Sequence, residues 1–167
     1  MFRCFFPDEI KNSAYEIDYE GLYQEGYRGL LFDIDNTLVP HGAPADQRAK
    51  ELFERLRRIG FKSCFLSNNQ IERVSMFNKE IGEKFIENAH TPAIGNYLKG
   101  MELLGTNKKN TIFIGDQLFT DVYGAKRAGI RNILVRPLHP KEEIQIVLKR
   151  YLEKIVLYFY NKEEGNS

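Results

Sequence analysis

The sequence predicts an α/β fold: a single Rossmann-like three-layer domain built on a mainly parallel sheet of about five strands. Three observations carry this expectation. Short apolar runs alternate with longer segments of helical period, the order that builds βαβ units. The run Gly29-Leu30-Leu31-Phe32 is apolar throughout, as in a strand covered on both faces. Glycines stand where the helical segments stop, at Gly60, Gly82, Gly105 and Gly129.

Taken in order, residues 8–27 are mixed and fit no single element. The run from Gly29 to Asp35 reads as a buried parallel strand ending in acids. Residues 44–59 carry Ala49, Leu52, Phe53, Leu56 and Ile59 on one helical face, closed by Gly60. Phe61 to Leu66 is a second strand, followed by Ser67-Asn68-Asn69. A helix is expected over 70–81, a short strand over Lys84 to Glu87, and a helix over 93–104 opened by Pro92. Thr111 to Ile114 is a fourth strand, delivering Gly115-Asp116. A helix over 119–128, a fifth strand from Asn132 to Val135 and a last helix over about 140–160 complete the pattern.

Bulk properties narrow the function. The 167 residues fit one domain, and 43% hydrophobic residues suffice for a core. With 24 basic and 23 acidic residues the net charge is +1, unlike the strongly basic balance of a general nucleic-acid binder. Cys4 and Cys64 form neither a CxxC pair nor a metal-ligand spacing, and Cys64 lies in an apolar run as a buried thiol would. Nothing demands an oxidising compartment, so a cytoplasmic setting is the default. The N-terminal apolar stretch is too short for a signal peptide, and the longest apolar run, Ile155 to Tyr160, is far short of a membrane span.

In an open parallel sheet, ligands bind beyond the carboxyl ends of the strands. Three apolar strands here end in polar residues: Asp33 and Asp35, then Ser67 and Asn68, then Asp116. One such acid could be a turn residue or a helix cap. Three on neighbouring strands would repel one another and require a cation. Oxygen-only ligands favour a hard ion, and Mg²⁺ suits carboxylates, water and a substrate phosphate. The pattern therefore points to metal-assisted phosphoryl chemistry.

Asp33-Ile34-Asp35-Asn36-Thr37-Leu38 resembles the first motif of the haloacid dehalogenase-like phosphatases. Ser67 resembles their second, and Gly115-Asp116-Gln117-Leu118-Phe119-Thr120-Asp121 their fourth. The strings DNTLV, SNN and GDQLFTD resemble the YqeG branch, whose relatives include phosphatidylglycerophosphate phosphatases. The likeness runs from about Gly26 to Leu138. It implies that Asp33 is a nucleophile forming an aspartyl-phosphate, and that Asp35 is general acid and then general base. It implies Mg²⁺ held by Asp33, the main-chain carbonyl of Asp35 and Asp116. Ser67, Asn68 and Thr37 would contact phosphate or shape the turn beside it, and Asp121 would orient the metal ligands from behind.

The resemblance breaks at one point. The family's third motif places a Lys before a Pro at a helix start, whereas this chain reads Asn88-Ala89-His90-Thr91-Pro92. Thr91 stands in the Lys position. Three readings are open: His90 substitutes when protonated, another cation such as Lys84 or Lys99 reaches in, or catalysis is weak or lost. The intervals from Asp35 to Ser67 and from Ser67 to Pro92 hold no cap domain, so the crevice is expected to be open. Open sites suit large or membrane-borne phosphomonoesters.

His41, in the loop after the first strand, reads as a lip residue. In the last helix Ile144, Val147, Leu148, Tyr151, Leu152, Ile155 and Val156 form a stripe flanked by Lys149, Arg150 and Lys154. That stripe suits packing on the sheet or a dimer contact, or else a peripheral contact with a membrane. The candidate functions are a Mg²⁺-dependent phosphomonoesterase, with phosphatidylglycerophosphate as the favoured substrate, a domain that binds a partner or phospholigand without turnover, and a small-molecule phosphatase capped by oligomerisation. No phosphate loop of the GxxxxGK[ST] type, no GxGxxG and no Cys-based phosphatase spacing is present, since Gln70 stands six residues after Cys64.

Overall fold

The computed structural model describes residues 2–89, 93–138 and 144–165, with only the backbone of 144–147. His90, Thr91 and Pro92 lie outside the described residues, as does the start of the last predicted helix at Pro140.

Six strands form one all-parallel sheet in the order β1-β6-β5-β2-β3-β4. They are β1 (Glu9–Lys11), β2 (Gly29–Phe32), β3 (Lys62–Leu66), β4 (Lys84–Ile86), β5 (Thr111–Gly115) and β6 (Arg131–Val135). The helices are α1 (Tyr19–Gln24), α2 (Gln47–Ile59), α3 (Ile71–Asn78), α4 (Ile94–Leu104), α5 (Tyr123–Arg127) and α6 (Ile144–Glu164). The mainly parallel sheet of about five strands expected from the sequence is present, with six strands among the described residues. The added strand, β1, has only one apolar residue, Ile10, and owes its conformation to pairing with β6 through Glu9 against Ile133. Side-chain bonds between Asp8 and Asn132 secure its entry.

Successive residues of the central strands face opposite layers. Leu30 and Phe32 pack with Phe53, Leu56 and Phe65 under α2 and α3, while Leu31 packs with Tyr97, Met101 and Phe113 under α4. Rings of Phe32, Phe53, Phe65 and Phe77 stack edge to face in a line, with successive centroids 5.0–5.2 Å apart. Each fully buried ring contributes about 1.5–3 kcal/mol. Asp46 begins α2 by accepting from the Ala49 amide at 2.8 Å, and Gly60 ends it in the left-handed region at φ 117°.

The chain starts in the edge strand β1, enters the middle of the sheet at β2, runs outward to β3 and β4, then crosses back to β5 and β6, which pairs with β1. The reversal at β2 opens a crevice at the carboxyl ends of β2, β3 and β5, where the three polar strand ends meet. The helix expected over 119–128 is divided: a π-helical turn, Leu118–Val122, precedes α5. Such turns commonly mark functional sites, and this one carries Asp121.

Candidate active site

Strand pairing extends past β2 to the first acid, because the Asp33 amide donates to the Ile114 carbonyl at 3.0 Å. The chain then reverses tightly. The amides of Thr37 and Leu38 donate to the Ile34 carbonyl, and the Asn36 amide donates to Val39 at 2.7 Å. Asn36 takes φ 61°, a conformation asparagine tolerates better than most residues. The Leu138 amide, beyond β6, donates to the Asn36 carbonyl and holds the turn from the other side.

This turn and the end of β5 bring Asp33, Asp116 and Asp121 together, each with a carboxylate oxygen within 4.8 Å of the other two. Asp116 and Asp121 are buried, and Asp33 is half-buried. Asp121 Oδ2 accepts from the amides of Asp116 and Gln117 at 3.1 and 3.0 Å, so the π-helical turn folds its own carboxylate back against β5. Gly115 permits this approach, since a Cβ there would lie 2.4 Å from Asp121 Oδ2. Thr37 Oγ1 donates to Asp116 Oδ1 at 3.2 Å, which places its hydroxyl on a carboxylate.

Burial, then the charges of Asp121 and Asp116, push the Asp33 carboxyl well above the ordinary carboxylate range. Asp121 is also raised, by burial and by Asp116. Asp116 is raised by burial, opposed chiefly by Arg150. Three clustered carboxylate donors that resist ionisation together fit a hard divalent cation, which would relieve all three at once. The sequence placed Asp121 behind the metal ligands; here it stands in the carboxylate group itself while also bonding the backbone.

The Asp35 carboxylate is held by other partners. Its Oδ1 accepts from Arg73 Nη2 at 2.8 Å and from the Gly42 amide at 2.8 Å, and its Oδ2 from Asn69 Nδ2 at 2.6 Å. Exposed His41 approaches it to 3.9 Å. Ser67 is buried at the end of β3 and its Oγ accepts from the Asn69 amide at 3.1 Å. Asn68 beside it is exposed. His90 and Thr91 lie outside the described residues. Of the other cations considered, Lys84 donates to the Leu103 carbonyl at 2.7 Å and Lys99 is exposed on α4.

Two arginines not assigned to the site from the sequence pair with its carboxylates. Arg73, one turn into α3, grips Asp35, and its Nη1 is buried without a hydrogen-bond partner. A cation shortly after the Ser67 loop was a usable signal. Arg150 comes from α6, where it pairs with the Asp116 carboxylate, donates to the Asp116 carbonyl and contacts Glu153 at 3.1 Å. Glu153 in turn accepts from the Leu118 amide at 2.8 Å. Thus α6 points a polar face at the site and leaves Leu148, Tyr151, Leu152, Ile155, Tyr158 and Phe159 exposed. The expectation that its stripe packs on the sheet holds only for Val156 among the described side chains. Ile144 and Val147 lie outside them.

Comparison with known proteins agrees with this geometry. A family model described as HAD-hydrolase-like matches residues 90–137. The protein named "Probable phosphatase YqeG" from Bacillus subtilis (strain 168) is 36% identical over 159 residues, spanning 93% of this chain and 91% of that protein. The chloroplastic/mitochondrial phosphatidylglycerophosphate phosphatase 1 of Arabidopsis thaliana is 28% identical, covering 87% of this chain but 47% of that relative, about half its length. Among solved structures, a HAD family hydrolase from Deinococcus radiodurans R1 with bound phosphate and sodium superposes with a TM-score of 0.58 at 16% identity, over 74% of this chain and 87% of that one. The fold, the clustered acids and the near full-length match together place the chain in the YqeG branch of the haloacid dehalogenase-like phosphatases.

Proposed function

We propose that this phosphatase hydrolyses phosphomonoesters with Mg²⁺ through an aspartyl-phosphate on Asp33. The observation that carries the reading is the group of three carboxylates, Asp33, Asp116 and Asp121, held within 4.8 Å at the crevice. Asp33, Asp116 and Asp121 would hold the ion, with the Asp35 carbonyl as a further donor. When bound, the ion neutralises charge on the phosphoryl oxygens and on the carboxylates around them.

The chain's own residues supply the remainder. Asp33 attacks phosphorus, and its phosphoryl bond is later broken by water. Asp35 protonates the leaving oxygen and then takes the proton of the attacking water. Arg73 holds Asp35 at the lip and directs a buried N–H that has no partner, a donor suited to a phosphoryl oxygen. Ser67 and the amides around it would donate to the other phosphoryl oxygens. With Thr at position 91, Arg73 would supply the cation that the family's lysine provides.

The relatives that act on phosphatidylglycerophosphate support a lipid phosphomonoester as substrate. The outward apolar face of α6, with Lys149 and Lys154 beside it, supports a peripheral contact with a bilayer. No helix among the described residues is long and apolar enough to cross one.

Phosphate release from a panel of phosphomonoesters, with Mg²⁺ and with chelator, tests the proposal. Turnover should need the metal and should fall by at least about 10³-fold in Asp33→Asn. If wild type and Asp33→Asn are equally inactive while the protein still binds Mg²⁺, the chain is instead a phospholigand-binding member that has lost turnover with its lysine.

A further inference from the structure

The Asp35 carboxyl has two oxygens, and the donors around it treat them differently. Oδ1 accepts from the Gly42 amide at 2.8 Å and from Arg73 Nη2 and Nε at 2.8 and 3.2 Å. His41 Nδ1 lies on the same side, 3.9 Å from Oδ1. Each carboxylate oxygen offers about two lone-pair sites, so these donors leave Oδ1 no room for a proton. Among the described residues Oδ2 accepts only from Asn69 Nδ2, at 2.6 Å. One site on Oδ2 therefore stays open. The Asp35 side chain is 11% exposed, so protein donors rather than bulk water set its orientation.

Asn69 lies in the loop after β3, where the sequence had singled out its neighbour Asn68. Its main chain ties that loop down. The Asn69 amide donates to Ser67 Oγ at 3.1 Å, and its carbonyl accepts from the Asn88 amide at 2.9 Å. Neither bond uses the Asn69 side chain, whose amide is given to Asp35. The two functions are separable: backbone and Ser67 shape the loop, and the side chain reaches across to the end of the β2 turn.

We propose that the proton passed to the leaving oxygen is carried on Asp35 Oδ2, and that Asn69 is the positioning residue that aims it. Arg73 and the Gly42 amide hold Oδ1, and Asn69 fixes the carboxyl from the opposite side. In the first step Asp33 bonds to phosphorus, the ester P–O bond breaks, and the Oδ2 proton passes to the departing oxygen. In the second step water bonds to phosphorus, the bond from Asp33 to phosphorus breaks, and the proton of the water returns to Oδ2. The carboxyl is thereby restored. This rests on the role of Asp35 in the phosphatase reading given above and adds the residue that directs it.

A basic leaving oxygen needs that proton and a weakly basic one does not, so the effect of Asn69 should grow with the basicity of the oxygen released. The ratio kcat/KM covers the steps up to the aspartyl-phosphate, and would be measured on p-nitrophenyl phosphate, phenyl phosphate and glycerol 3-phosphate. Asn69→Ala should lower it by less than about threefold on p-nitrophenyl phosphate and by about 10–100-fold on glycerol 3-phosphate. Asn69→Gln keeps an amide donor and should recover part of the loss on glycerol 3-phosphate. Asp35→Asn should steepen the series further, and adding Asn69→Ala to it should cost nothing more, because the two act as one unit. Circular dichroism confirms that the variants fold.

An equal loss on all three esters, or an additive loss in the double variant, would mean that Asn69 only supports the loop, and overturns the proposal. A series steepened by Asp35→Asn but untouched by Asn69→Ala overturns it while the phosphatase reading stands. A series that Asp35→Asn does not steepen, in a protein whose turnover still needs Asp33, removes Asp35 from the acid role and the proposal with it. Absence of turnover on all three esters in a chain that binds Mg²⁺ overturns the phosphatase reading itself, and leaves Asn69 no proton to aim.

Discussion

Asp33 is held among acids that make its charge costly. A native carboxyl raised above its ordinary range binds protons that the unfolded chain releases. The unfolded state then binds fewer protons than the native one, so metal-free stability falls as pH rises from the usual carboxylate range through the raised native value. Asp33→Asn should therefore raise the Tm of the metal-free protein, by roughly 2–4 °C for each 1 kcal/mol relieved, with the gap widening toward higher pH. Thermal scans of both proteins in chelator between pH 5 and pH 8 measure it. Arg150 acts in the opposite sense. Arg150→Ala strips the buried Asp116 of its partner and should cost about 3 kcal/mol, read from urea unfolding in chelator. Asp33, Asp35 and Asp116 were legible in the sequence because apolar strands end in them. Arg73 and Arg150 were not, because a cation on a helix acquires its role only from where that helix docks. Residue 150 lies 34 positions beyond the carboxylate it neutralises.

Among the elements, the π-helical turn and α5 decide where Asp121 points. The Tyr97 hydroxyl, from α4, donates to the carbonyls of Thr120 and Asp121 at 3.3 Å each. Gly124 leaves room for that ring, since a Cβ there would lie 2.4 Å from the hydroxyl. Gly124→Ala should therefore displace Tyr97, cost about 1–3 kcal/mol by overpacking, and weaken Mg²⁺ binding through the shifted turn. Calorimetric Mg²⁺ titration set beside the unfolding curve distinguishes this from a purely structural loss. The sequence showed helical period over 119–128 but not its division, because a π-helical turn keeps the composition of an α-helix. It likewise missed β1, whose three residues carry no strand pattern of their own and pair only because β6 offers an open edge. For α6 the period was plain and the orientation was not. The buried bonds of Arg150 and Glu153 turn its polar side inward and commit most of its apolar side to the outside.

At the scale of the whole molecule, the alternating order of strands and helices specified a three-layer parallel sheet. That sheet in turn specified where the strand ends meet. The two cysteines report on its integrity. Burial pushes the Cys64 thiol up to about 12, whereas Cys4 is exposed. One thiol should react quickly with a disulfide reagent at pH 8, and the second only at the rate of global unfolding. Two fast thiols would mean that the sheet opens locally around β3. The central claim concerns the bond formed at the crevice. Asp35→Ala removes the group that activates water, so an aspartyl-phosphate should accumulate when the substrate has a good leaving group such as p-nitrophenolate. Turnover of ³²P-labelled p-nitrophenyl phosphate by that variant with Mg²⁺ would be quenched in acid and the chain digested. The account predicts an acid-stable, hydroxylamine-labile label on the peptide containing Asp33, absent when Asp33→Asn is added. Label on another residue, or label that survives the loss of Asp33, would contradict it.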